Sequence, residues 1–280
     1  MRFGFHISIS GGFVKIVERA LTKKCQTLQF FSRNPRGWPA KELDAGQARA
    51  FRESLAATGI APVFIHMPYL PNLASSDEPL FNRSVNALGE ELKRAEALQA
   101  AAVIVHVGHC GDQSADEACE QVSRAINRAF AMARSSMTVL LENSAGQGTE
   151  IGHTFSQLRR IARGVQDRDR IGVCLDTAHA FAAGHNIATG PGLEKMLDEF
   201  EACIGIRKLR LLHLNDSKTP LGSHTDRHWH IGKGFIGRSG FRRIVNHPAL
   251  AHLPGIMETP RSSDSDDFEN MSTMLKLAKS

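Results

Sequence analysis

The stretch APVFIHM (residues 61–67), the run PLFNRSVNALGEELKRAEALQ (79–99) and the stretch AAVIVHV (101–107) decide the fold. Two apolar segments of strand length enclose a run in which Phe81, Val85, Leu88, Leu92 and Ala95 recur at spacings of four, three, four and three. That spacing places five apolar side chains on one face of a helix. A helix set between two near-continuous apolar strands is a parallel β-α-β unit, its helix packed on the sheet. Both strands end near a histidine, His66 and His106.

The alternation extends in both directions. Upstream, RFGFHISI (2–9) precedes the amphipathic GFVKIVERALTK (12–23), and TLQFF (27–31) precedes KELDAGQARAFRESLAAT (41–58). Downstream, DEACEQVSRAINRAFAMA (116–133) leads to MTVLLEN (137–143), HTFSQLRRIARG (153–164) to RIGVCLD (170–176), and LEKMLDEFEACI (193–204) to KLRLLHL (208–214). SGFRRIVN (239–246), PGIMET (254–259) and a terminal DDFENMSTMLKLAK (266–279) close the series. About eight strand and helix units predict a closed (β/α)8 barrel, of the TIM barrel type, with an open doubly wound sheet as the other arrangement. No Pro/Gly/Ser-rich linker or charge block divides the chain, so one domain over residues 1–280 is expected. Its active site should lie at the C-terminal ends of the strands, where the long loops fall.

Composition narrows the setting. A hydrophobic content of 42% supports a large core. No long apolar span and no signal-peptide pattern at the start are seen, which gives the expectation of a soluble, cytoplasmic protein with no membrane partner. The five cysteines are odd in number and contain no CxxC pair, so reduced thiols are expected rather than a disulfide framework or a thiolate zinc site. A net charge of +5 favours an anionic partner such as nucleic acid.

Polar residues able to bind metal close the apolar runs one after another: His66, His106, Glu142, Asp176, His213 and Glu258. Each alone reads equally well as a hydrogen-bonded strand end; six in succession read as a ring of ligands. His179, in Asp176-Thr-Ala-His, and the pair Asp226 and His228, in the loop after His213, lie close to that ring in sequence. Together they supply five imidazoles and four carboxylates, a donor set accepted by zinc, with manganese or iron as substitutes. At about three or four protein ligands per ion, with one carboxylate bridging, nine ligands suit three ions. Asp176 and His179 share a side only if a helical turn follows the strand directly. An extended Asp226-Arg227-His228 segment would point its first and third side chains the same way. Such clusters activate water and neutralise phosphoryl charge, so phosphoester hydrolysis is the natural reaction class.

The segments FHISISGG (5–12), FFSRNPRGW (30–38), HMPYLPNL (66–73), VHVGH (105–109), LLENSAGQG (140–148), GVCLDTAHAFAAG (172–184), LHLNDSK (212–218), DRHWHIGKGFIG (226–237) and METP (257–260) closely resemble the endonuclease IV family of apurinic/apyrimidinic endonucleases. The resemblance spans almost the whole chain. It implies a TIM barrel holding three zinc ions that acts in base excision repair on abasic sites in double-stranded DNA. The enzyme would be a monomer cutting 5′ to the abasic site, leaving a 3′-hydroxyl and a 5′-deoxyribose phosphate. Carried over by position, it places His66, His106 and Glu142 on one ion and Glu142, Asp176, His213 and Glu258 on a second. His179, Asp226 and His228 would hold the third. Glu142, as bridging ligand, and Glu258 become the catalytic carboxylates, and Arg36, Tyr69 and Asn72 become DNA contacts. Trp38 is expected to pack its loop.

Some positions depart from the family pattern: HMPY where His-Ala-Pro-Tyr is familiar, VHVGH for a His-Pro-Gly turn, and Lys233 where an acidic residue is common. None removes a ligand, but the fourth strand's loop and the charge near the third ion are expected to differ. His6, His109, His224 and His230 are additional imidazoles that either support the ligands or line loops. Two other functions compete. A xylose-isomerase-like sugar isomerase or epimerase needs fewer metals, which leaves His179, Asp226 and His228 unused; a non-enzymatic DNA- or metal-binding protein needs no open coordination positions.

Overall fold

Eight parallel strands close on themselves because each is apolar on both faces and each is followed by a helix that covers its outer side. The computed structural model describes residues 1–38 and 41–278. In chain order, β1 (Arg2–Ile7), α1 (Phe13–Thr22), β2 (Thr27–Phe31), α2 (Ala45–Ala56), β3 (Val63–His66) and α3 (Glu78–Ala97) are followed by β4 (Ala102–His106), α4 (Ala115–Ala133), β5 (Thr138–Glu142) and α5 (Phe155–Gly164). Next come β6 (Ile171–Asp176), α6 (Thr177–Ala182), α7 (Gly190–Cys203), β7 (Leu209–His213), β8 (Asp216–Ser217), β9 (His228–Trp229), α8 (Gly237–Asn246), β10 (Pro254–Met257) and α9 (Asp264–Ala278). The barrel order is β1-β10-β7-β6-β5-β4-β3-β2, and β8 and β9 form a separate antiparallel pair.

The expected closed barrel is therefore the observed one, and the open sheet is excluded. The predicted face of α3 is buried at all five positions, Phe81, Val85, Leu88, Leu92 and Ala95. Helix starts are set by side-chain caps: Asp77 accepts from Leu80 N at 2.7 Å, and Ser114 and Glu117 form a reciprocal box at the start of α4. The five cysteines are free. Among the described residues no helix is long and apolar enough to cross a membrane.

Strand alternation divides the core into two shells. Ile65, Val103, Val105, Val139, Leu141, Val173, Leu175 and Leu212 point outward into the helices, while Phe64, Ile104, Leu140, Cys174, Leu211 and Ile256 pack inside the barrel. Because side chains alternate with a period of two, the residue two positions beyond an inner residue also faces the barrel axis. Those residues are His66, His106, Glu142, Asp176, His213 and Glu258. The apolar plug and the polar ring are successive layers of one pattern.

Candidate metal centre

Five of the ring residues are the last residues of their strands, namely β3 to β7, and Glu258 directly follows β10. Parallel pairing keeps them level: His106 is in register with Glu142, and Asp176 with His213. The remaining three come from local structure. Asp176 Oδ1 accepts from His179 N at 2.8 Å and so caps α6, which starts immediately after β6. The helical turn brings His179 back beside Asp176, as the three-residue offset requires. The β8–β9 pair folds the following loop back over the barrel mouth, so that His179 Nε2 lies 3.3 Å from both Asp226 Oδ2 and His228 Nε2. Arg227 points elsewhere; it is exposed and bonds the Asp226 carbonyl.

Eight of the nine donors thus fall into three overlapping groups whose ligand atoms lie within 4.8 Å of one another: His66, His106 and Glu142; Glu142, Asp176, His213 and Glu258; and Asp176, His179 and His228. Asp226 adjoins the last group, 3.3 Å from each of its histidines. Glu142 belongs to two groups, with Oε2 at 3.0 Å from His66 Nε2 and Oε1 at 2.8 Å from His213 Nδ1. Asp176 also belongs to two, which the sequence reading did not assign.

Four of the five imidazoles are held at their other nitrogen by an acceptor that requires a proton there. His66 Nδ1 donates to Met67 O (2.7 Å), His179 Nδ1 to Asn143 O (2.8 Å), His228 Nδ1 to Glu258 O (3.2 Å) and His213 Nε2 to Gln29 Oε1 (2.8 Å). In the neutral imidazole, that proton leaves the nitrogen facing the cluster as a lone-pair donor, the tautomer a divalent ion needs. Oxygen and imidazole donors without sulfur fit ions of the zinc type.

Three supporting residues escaped the sequence reading. Gln29 donates its amide to Glu258 Oε1 at 2.7 Å while accepting from His213. Asn143 accepts from Asp176 N at 2.6 Å, and Asn215 donates to Asp176 Oδ2 at 2.6 Å while accepting from Glu258 N. Asp216, buried beside them, accepts from the backbone N–H groups of Ser217, Gly232, Gly234, Ile236 and Gly237. A Cβ at Gly234 would stand 2.6 Å from its Oδ1, so the glycine in IGKGFIG is a condition of that close approach. Lys233 turns outward to Glu269 at 3.0 Å and is not among the ring's contacts.

Electrostatics bind the set together. Burial by itself would raise the Glu142 carboxyl, yet the imidazoles of His106 and His213 and hydrogen bonds from His213 and His66 hold it well below the usual carboxylate range. Asp226 also overcomes its burial, through His179 and His228, and is lowered to about 2. Conversely, His66 and His179 are pushed up despite burial, His66 chiefly by Glu142 and His179 by Asp176, Asp226 and Glu142.

The ring opens into a cleft of about 490 Å³ lined by His6, Phe31, Tyr69, Arg227, Glu258 and Arg261 among others. Tyr69, 64% exposed, stands between this cleft and a smaller one of about 230 Å³ that contains His109. Its ring meets Phe31 edge-on at 5.0 Å, and its N–H bonds Pro35 O, which joins it to the loop carrying the exposed Arg36. Trp38 packs against Arg83, whose guanidinium lies 4.0 Å from the ring centre. Asn72 serves as a brace: Oδ1 accepts from Ala74 N and His109 N, and Nδ2 donates to His109 O. Of the extra histidines, His6 bonds Glu258 Oε1 at 3.1 Å, while its buried Nε2 has no partner among the described residues. His224 bonds Ala145 O and His230 bonds Asn270.

A family model described as xylose isomerase-like TIM barrel matches residues 17–278. The chain is 46% identical to a protein of Methanoculleus marisnigri named "Probable endonuclease 4", covering 98% of both chains. A protein of the same name from Methanosphaerula palustris is 44% identical, covering 99% of this chain and 98% of the relative. The crystal structure of endonuclease IV from Thermus thermophilus superposes with a TM-score of 0.89 at 34% identity, covering 100% of this chain and 99% of that one.

Proposed function

The chain belongs to the endonuclease IV family of DNA-cleaving hydrolases, and we propose that it cuts duplex DNA on the 5′ side of abasic sites with three zinc ions, as a cytoplasmic monomer acting in base excision repair. The expected products are a 3′-hydroxyl and a 5′-deoxyribose phosphate. The observation that carries this reading is the third donor group, Asp176, His179 and His228 with Asp226 adjoining its histidines, beside two groups joined through Glu142. A sugar isomerase on the same barrel has no use for a third group.

His66, His106 and Glu142 would hold one ion, Glu142, Asp176, His213 and Glu258 a second, and His179, Asp226 and His228 the third. Ions held there would supply an acidified water and neutralise charge on the phosphoryl group and its departing oxygen. The protein's own part is orientation. Gln29, Asn143 and Asn215 fix the ring's geometry, and His6 presents a buried nitrogen at the cleft. Arg227 and Arg261, lining the cleft, supply positive charge for the phosphates flanking the scissile bond. Tyr69 and Arg36, standing above the ring on joined loops, are suited to fill the gap left by a missing base, where little stacking is lost on kinking the duplex. Asn72 contributes by bracing the Tyr69 loop.

The test is a duplex with a single abasic site, incubated with enzyme before and after treatment with a strong chelator, alongside metal analysis. Incision on the 5′ side with about three zinc ions per chain is expected. Incision that persists after verified metal removal, or turnover of a free sugar by protein holding about one ion, would overturn it.

A further inference from the structure

Helix α3 contributes more than core packing. Glu91 is fully buried, a placement that a carboxylate tolerates only when paired. Its Oε1 accepts from Arg33 Nε at 2.6 Å and its Oε2 from Ser32 Oγ at 2.6 Å. Almost one turn further along, Arg94 donates Nε to Ser32 Oγ (2.7 Å), Nη2 to Ser32 O (2.6 Å) and Nη1 to Lys41 O (3.0 Å). Arg33 in turn donates to Trp38 O at 3.0 Å, and Arg83, also on α3, covers the Trp38 ring. One helix therefore grips the β2–α2 connection at its start, at Trp38 and at Lys41, and the exposed Arg36 lies between those grips.

Hydrophobic residues would pack this position at least as well as a buried ion pair, so bonds with direction need another reason. The connection offers one: among its described residues only Trp38 and Leu43 pack against the core, and between Ser32 and Trp38 polar bonds determine its course.

We propose that Glu91 is a positioning residue for DNA engagement, holding the connection through Ser32 and Arg33, together with Arg94, so that Arg36 stands ready beside Tyr69. The proposal rests on the reading of Arg36 as a DNA contact. A loop ordered before binding need not be ordered by the duplex, so the clamp acts on affinity.

The test uses the full-length, metal-loaded enzyme and a duplex bearing a tetrahydrofuran abasic analogue. Glu91→Gln keeps the shape and removes the charge. KM and Kd for this duplex should rise about tenfold while kcat changes less than about twofold, because the hydrolytic ring is untouched. A double-mutant cycle with Arg36→Ala separates positioning from general damage: if Glu91 acts through Arg36, the second substitution should cost at most about a third as much, in fold-change, as it does alone. Ser32→Ala, a milder cut in the same network, should shift KM in the same direction and serves if Glu91→Gln does not fold. Multiplicative losses in the cycle, or unchanged affinity in a folded network variant, would overturn the positioning role. Unchanged affinity in Arg36→Ala alone would overturn the DNA-contact reading beneath it.

Discussion

Replacing Gln29 by leucine tests how the ring is held. Gln29 is fully buried one layer below the ligands, in register with Phe64, where a barrel of this kind would ordinarily place an apolar side chain. Leucine fits the space but leaves His213 Nε2–H without its acceptor at 2.8 Å and removes one of the two partners of Glu258 Oε1, leaving His6 at 3.1 Å. One orphaned buried donor costs about 1–3 kcal/mol. With 280 residues and about 2.1 cal/mol/K of unfolding entropy each, Tm should fall by about 2–5 °C. The larger consequence is at the metal, because His213 is then free to rotate or to take the other tautomer, and loss of such a partner weakens binding by about 10–100-fold. Competition between protein and a chromophoric zinc chelator measures that ratio, and thermal melts with and without zinc measure the stability. A variant whose Tm falls while zinc affinity stays at the wild-type value would refute the orienting role and reduce Gln29 to packing.

Glu142→Gln removes the carboxylate shared by two groups, and incision should fall about a thousandfold or more, about 4 kcal/mol of barrier, in a gel assay on abasic duplex. Because Glu142 is fully buried, duplex affinity by fluorescence anisotropy should change less than about threefold; wild-type incision would remove it as the bridge. Tyr69→Ala deletes an exposed ring whose stacking is worth about 1–3 kcal/mol, so affinity for abasic duplex should fall about 5- to 150-fold while undamaged duplex binds nearly as before. His66 and His179 have raised pKa values in the absence of metal and therefore carry protons at pH values where a free imidazole would not. Metal must expel those protons, so zinc should be lost to a chelator faster at pH about 5.5 than at about 8, and the opposite order by metal analysis would contradict the proton competition.

The barrel was legible because its signal is periodic. Apolar strands, six of them leading into a polar residue with the same parity as an inner core residue, can be read without knowing any long-range contact. The two-residue strands β8 and β9 have no period to detect, and the six-residue α6 was readable only as a condition on the Asp176–His179 offset. Gln29 was hidden because TLQFF reads as one apolar strand, although a lone polar residue at an inward position of a buried strand is the signal that could have found it. Glu91 lies in GEELKRAE, which looks like a solvated charge run. Its spacing from Leu88 and Ala95, three and four residues, nonetheless puts it on the buried face. The bond between Asn72 and His109 spans 37 residues, and local sequence does not encode such a meeting of loops.

The ring's composition explains how so many charges can converge at the mouth of an apolar barrel. Four carboxylates packed together would repel one another and resist ionisation, yet Glu142, Asp226 and Glu258 are all held below their usual range. His66, His179 and His213 opposite them carry the balancing charge, gaining protons for the same reason the carboxylates lose theirs. Protons therefore stand where metal charge would otherwise be required. Exchange of one for the other demands little movement, because each of four ring nitrogens is already tied to a carbonyl or amide oxygen on the far side. It follows that the fold should survive gentle removal of metal at neutral pH. Far-ultraviolet circular dichroism of chelator-treated protein should retain its helical signal and regain incision on adding zinc; collapse of that signal would mean that the ions, and not the hydrogen-bonded frame, hold the ring together.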